Sequence, residues 1–148
     1  MSFKKMRIPF YKISLLVMTV LLSSCQKEQH KININNLNGY WEIVQAQNPY
    51  GKNVIYKVNT TVDYFEIKDS LGFRKKLKPN LSGNFTTSKA LEEFRCFIEN
   101  DTIRLNYKTP YDNWTESLLK LNDSLMLIKN QNNFLYTYKR FEPLEITP

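Results

Sequence analysis

Thr102-Ile103-Arg104-Leu105-Asn106-Tyr107 alternates apolar and polar side chains without a break. Successive strand residues point to opposite faces, so this spacing puts Ile103, Leu105 and Tyr107 on one buried face and Thr102, Arg104 and Asn106 on the other. Runs of the same kind, rich in aromatic and β-branched residues and bounded by Asn, Asp, Gly and Pro, recur on both sides. They predict strands at 39–47, 54–58, 62–68, 72–78, 83–87, 92–99, 102–108, 114–121, 124–129 and 134–141. The fold class they predict is all-β.

The connections say which strands meet. Asn100-Asp101 and Asn122-Asp123 each stand between two runs, and these residues tolerate the left-handed backbone of tight hairpins. Asp69-Ser70-Leu71-Gly72 has the same character, and with only four glycines in the chain, asparagine is expected at many positive-φ positions. Ser88 is placed to cap a helix of one or two turns over 88–93, a connector at most. A meander of short antiparallel strands either stacks as a β-sandwich or closes on itself and so removes its edges. Closure is the favoured reading: a small antiparallel up-and-down β-barrel of eight to ten strands, with the sandwich as the alternative.

Upstream of the strands the pattern changes. Lys4, Lys5, Arg7 and Lys12 precede ISLLVMTVLLSSC at 13–25, whose ten residues 13–22 are apolar except for Ser14 and Thr19. A bilayer-spanning helix needs about twenty such residues, so this segment reads as a removable export signal over 1–24. Leu22-Ser23-Ser24-Cys25 resembles the bacterial lipobox, which implies that Cys25 is the acylated first residue and that the membrane holds the protein through lipid. Residues 25–36 then form the acylated cysteine and a polar, aperiodic tether, and 37–148 form the barrel domain. Cys25-Gln26-Lys27-Glu28 is similar to the surface-export signals of Bacteroidota lipoproteins. That likeness implies a place in the bacterial cell envelope, on the outer membrane and facing outward, with a periplasm-facing position as the alternative.

Removal of the signal changes the charge. The full chain carries +7, but four basic and no acidic residues lie in 1–24, leaving seventeen basic against fourteen acidic residues. The case for a nucleic-acid partner goes with them. If Cys25 carries lipid, Cys96 has no disulfide partner in the chain; its alternation with Phe94 and Ile98 predicts a buried structural thiol. His30, the only histidine, falls in the tether, which removes most histidine catalysis and most zinc sites. Glu92-Glu93 cannot act as a carboxylate pair, because neighbours on a strand face opposite ways. The chain shows no nucleophile motif, metal-ligand cluster or phosphate-cradling glycine loop, so the expectation is a non-enzyme with no cofactor and no metal.

Leu37-Asn38-Gly39-Tyr40-Trp41 resembles the G-x-W opening of lipocalins and of lipocalin-like bacterial lipoproteins, matching at Gly39 and Trp41. In that family the tryptophan plugs the barrel base and an arginine near the last strand packs across it. Arg140 in Tyr138-Lys139-Arg140-Phe141 stands in the corresponding place. The resemblance runs from Gly39 to Arg140 and lacks the family's external helix and disulfide, which implies a smaller barrel with little cavity. It implies a lipid-anchored binder of a small amphipathic or hydrophobic ligand; the alternative is a non-enzymatic envelope interaction or assembly protein whose barrel is filled.

Three further groups are candidates. Tyr107, Trp114, Tyr136 and Tyr138 are aromatic residues placed to line an interior or stack on a ligand, or else to pack the core. Arg74, Lys76 and Lys78 alternate onto one face, read as a solvated strand face that discourages edge pairing. Ser70, Thr102 and Ser124 stand in Asp-[Ser/Thr]-hydrophobic triplets that resemble Bacteroidota O-glycosylation sites, although hairpins favour the same residues.

Overall fold

The computed structural model describes residues 32–80, 84–87 and 90–142. The expected signal over 1–24, Cys25 and His30 lie outside them. Among the described residues, ten strands follow a 3-10 turn at Ile34–Leu37: β1 Gly39–Gln47, β2 Asn53–Ile55, β3 Val62–Lys68, β4 Leu71–Pro79, β5 Phe85–Thr87, β6 Glu92–Glu99, β7 Thr102–Lys108, β8 Asn113–Leu121, β9 Leu125–Asn130 and β10 Leu135–Arg140. All pairings are antiparallel. The order runs β10-β9-β8-β7-β6-β4-β3-β1, and β10 pairs back onto β1, so eight strands close a barrel while β2 and β5 hang on β1 and β4. Closure uses a register from Trp41 opposite Arg140 to Gln47 opposite Leu135, with a bulge between Ile43 and Gln45.

Turn chemistry explains the tight hairpins at one end. Asp69, Asn100 and Asp101 all take positive φ. Asn122 does the work differently: its side-chain oxygen accepts from the backbone N–H groups of Ser124 and Leu125, an Asx turn that needs no left-handed residue. These turns, joining β3–β4, β6–β7 and β8–β9, sit at the end of the barrel where β1 begins and β10 finishes. The longer connections gather at the opposite end, the mouth.

Alternation sorts the side chains. Leu37, Trp41, Phe65, Ile67, Phe94, Leu105, Tyr107, Leu118, Leu121, Met126, Ile128 and Tyr138 form one buried cluster inside the barrel. Ile32 and Ile34 also pack against it. The compact unit therefore begins at Ile32, and the expected tether of 25–36 shortens because two of its isoleucines are drawn into the core. Among the described residues, the ten strands, the core and the closing pair all lie within the compact unit Ile32–Pro148. The helix expected over 88–93 is not formed at Glu92 and Glu93, which pair with Arg74 and Phe73 as the start of β6. Cys96 is a free, half-buried thiol packed on the core, while Ile98 on the same face is exposed near the strand end.

Candidate functional site

At the closed end, the 3-10 turn brings Leu37 under Trp41, and both are fully buried. The indole N–H donates to the Leu37 carbonyl at 2.8 Å. Arg140 lies over the ring with its guanidinium carbon 3.9 Å from the ring centroid. Its three nitrogens donate to the carbonyls of Asn38, Asn36 and Asp123 at 2.8, 2.8 and 3.0 Å. One cation thus ties the chain's entry, its last strand and the β8–β9 turn. Gly39 is required beneath it: its φ is +116°, and a Cβ there would stand 2.9 Å from the Arg140 Nη1. The base is plugged by the fully buried Leu37 and Trp41 beneath Arg140.

Toward the mouth the interior becomes charged. The β3–β4 register sets Arg74 opposite Phe65, a core residue, so Arg74 points inward and is buried. It donates through Nε to Glu92 at 2.5 Å and through Nη1 to both oxygens of Glu116 at 3.3 Å. Its guanidinium lies 4.7 Å from the Tyr107 ring centroid and 5.9 Å from that of Phe65, within cation–π range. Burial works against the Arg74 charge, but Tyr107, Glu116 and Glu92 push the guanidinium well above its ordinary range. Two residues on, Lys76 donates to the buried Asp63 at 2.8 Å. Of the solvated strand face expected of Arg74, Lys76 and Lys78, the two lysines are exposed, whereas Arg74 is buried inside the barrel. The charge run hid this, because three cations in alternation read as solvent-facing unless the register with Phe65 and the distant partner Glu116 are known.

The aromatic candidates fall along the same interior. Tyr107 is buried and stacks on Trp114 with ring centroids 4.9 Å apart and planes 6° from parallel. Burial pushes its phenol well above its ordinary range, the Glu116 carboxylate adding to the shift while Arg74 opposes it; the hydroxyl makes no well-formed hydrogen bond. Tyr138 is buried on β10 and its phenol is likewise raised by burial. Tyr136 is half-buried, packs parallel to Phe134 at 6.4 Å, and accepts from Asn130 at 3.4 Å. Tyr107 and Tyr138 are thus buried in the interior, while Trp114 and Tyr136 are half-buried near the mouth ends of β8 and β10.

Open space lies above them. A pocket of about 430 Å³ at the mouth is lined by Thr61, Lys76, Lys78, Thr86, Thr87, Ala90 and Glu92. Three threonines, two lysines and an alanine line it together with Glu92, whose carboxylate pairs with Arg74. Sequence reasoning missed Thr61, Thr86, Thr87 and Ala90, since nothing in their local pattern marks a rim. The triplet residues are elsewhere. Ser70 and Ser124 are exposed in turns of the closed end, and Thr102 is half-buried as the first residue of β7 at the same end; the Thr102 hydroxyl donates to the Asn100 carbonyl at 3.4 Å. Among the described residues no helix is long and apolar enough to cross a membrane, and no cluster of potential metal ligands occurs.

No family model matches the chain, and no curated protein does. Among solved structures, it is similar to a lipocalin-like protein from Bacteroides uniformis at 12% identity, covering 72% of this chain and 99% of that one with a TM-score of 0.46. It is also similar to lobster apocrustacyanin A1, at 12% identity over 77% of this chain and 66% of that one with a TM-score of 0.45. Apocrustacyanin C1 stands at 11% identity, 80% and 68% coverage, and a TM-score of 0.47.

Proposed function

We propose that the protein is a non-enzymatic, lipid-anchored binding module of the bacterial envelope whose barrel mouth holds a small amphipathic molecule. The observation that carries this reading is the pocket lined by Thr61, Lys76, Lys78, Thr86, Thr87, Ala90 and Glu92. Its volume of about 430 Å³ falls in the range that encloses small ligands, and its walls combine methyl and methylene groups with hydroxyls and charges for orienting a polar head. The ligand sits at the rim on this reading, in a space that Tyr107, Trp114, Tyr136 and Tyr138 do not line. Native mass spectrometry of the purified protein tests it. A released small molecule that is lost in Thr87→Trp, a substitution that fills the pocket, is the expected result.

A second reading rests on a different observation. The buried Tyr107, stacked on Trp114, and the Arg74 ion pairs occupy the barrel interior, as side chains often fill small barrels. An envelope protein partner would then use the outside of the barrel. No released ligand, with Thr87→Trp behaving as wild type, would select this alternative.

Anchorage rests on the lipobox-like Leu22-Ser23-Ser24-Cys25. Cys25→Ala should release the protein from membranes, because two or three acyl chains anchor stably where none cannot. Outward display on the outer membrane, against a periplasm-facing position, is read by protease accessibility on intact cells. O-glycosylation at Ser70, Thr102 and Ser124 is supported by their gathering at one end of the barrel, two in turns and Thr102 at the start of β7. Mass spectrometry of peptides from the native host decides it, and three unmodified peptides would leave only their turn role.

A further inference from the structure

The strand that hangs on the mouth has an unusual surface. In 48–61 there are two lysines, Lys52 and Lys57, and no acidic residue. Tyr50, Val54, Ile55, Tyr56 and Val58 are 94%, 50%, 60%, 39% and 84% exposed. Val54 pairs with Ala46 and Ile55 with Gln45, so the two side chains leave opposite faces of β2. Both are exposed, which means this ribbon stands clear of the barrel with neither face packed. Among the described residues its outer edge pairs with nothing.

We propose that the 50–58 segment docks on an anionic phospholipid surface, bringing the barrel mouth against the lipid. The composition fits that occupant: aromatic and aliphatic side chains enter the boundary between headgroups and acyl chains, while lysines meet anionic headgroups. A second copy adding a strand along β2 fits less well, because three residues offer few ladder bonds and lysines discourage edge pairing. Thr61, at the end of the same segment, lines the mouth pocket. A lipid surface under 50–58 would thus lie beside the pocket rim, where an amphipathic molecule would pass between the two. The docking itself goes beyond ligand binding and does not depend on it.

The test uses residues 26–148, the expected mature chain without Cys25, so that no acyl chain can carry the result. It is floated at low ionic strength with vesicles of mixed phosphatidylglycerol and phosphatidylcholine, and with vesicles of phosphatidylcholine alone. Flotation with the mixed vesicles, reduced at least about tenfold in Ile55→Asp/Val58→Asp, is the expected outcome. Lys52→Glu/Lys57→Glu should abolish the preference for the anionic vesicles. All four positions are on the exposed ribbon, and circular dichroism with a thermal melt verifies that each variant keeps the wild-type fold. Absence of flotation, flotation equal in the aspartate variant, or a concentration-dependent dimer abolished by that variant in place of vesicle binding would overturn the proposal.

Discussion

At the scale of single residues, Trp41 and Arg140 behave as one unit. Trp41→Ala removes a fully buried indole and its bond to Leu37, and should destabilise the barrel by about 3–5 kcal/mol in urea unfolding. Arg140→Ala loses three bonds to backbone carbonyls and the ring contact, and the double variant should lose less than the two singles together. Additive losses would mean that the pair is not coupled. A second prediction concerns alkali. Tyr107 and Tyr138 have phenols raised by burial above the unfolded value of about 10. Above that pH the unfolded chain releases protons that the folded chain retains, so stability is full below about pH 10 and falls as pH rises. Urea midpoints from neutral pH to pH 11 should show the decline, shallower in Tyr138→Phe. The pairing of Trp41 with Arg140 was expected only through the family resemblance at Gly39, Trp41 and Arg140; the reason for Gly39 was not, since its φ and the guanidinium above it are tertiary facts.

At the scale of elements, the strand pattern was readable almost throughout, because one face of each barrel strand is buried and period-two alternation reports that directly. Where it misled, a partner far along the chain overrode the local signal. In β4, Phe73-Arg74-Lys75-Lys76 reads as solvent-facing, yet pairing with β3 and β6 turns Arg74 inward onto Glu92 and Glu116. Gly72 in the same strand shows what that pairing demands. A Cβ there would meet the Glu66 carbonyl and the Phe94 ring edge, both at 2.5 Å, so Phe94 covers the gap the glycine leaves. Gly72→Ala should therefore cost about 1–3 kcal/mol by forcing β6 off β4. Wild-type stability would show that the ring swings aside freely.

At the scale of the whole molecule, the up-and-down barrel was foreseeable from hairpin-sized connections, whereas the division into a plugged base and a charged mouth was not. That division depends on shear between strands, which puts residues 42 positions apart, Arg74 and Glu116, in hydrogen-bonding range. Arg74→Ala leaves Glu116 buried without its cation and should lose about 3–5 kcal/mol, part of it regained on adding Glu116→Gln. Thermal and urea unfolding both measure this; an unchanged single variant would show that water reaches Glu116 freely. The Arg140 clamp carries a consequence for biogenesis. Its bonds to Asn36 and Asn38 span 104 and 102 positions, so a nascent chain emerging from the ribosome keeps an open sheet until β10 has been made. A chain interrupted before Leu135 would offer two unpaired edges, those of β1 and β9, to any chaperone or sister chain that reached them first.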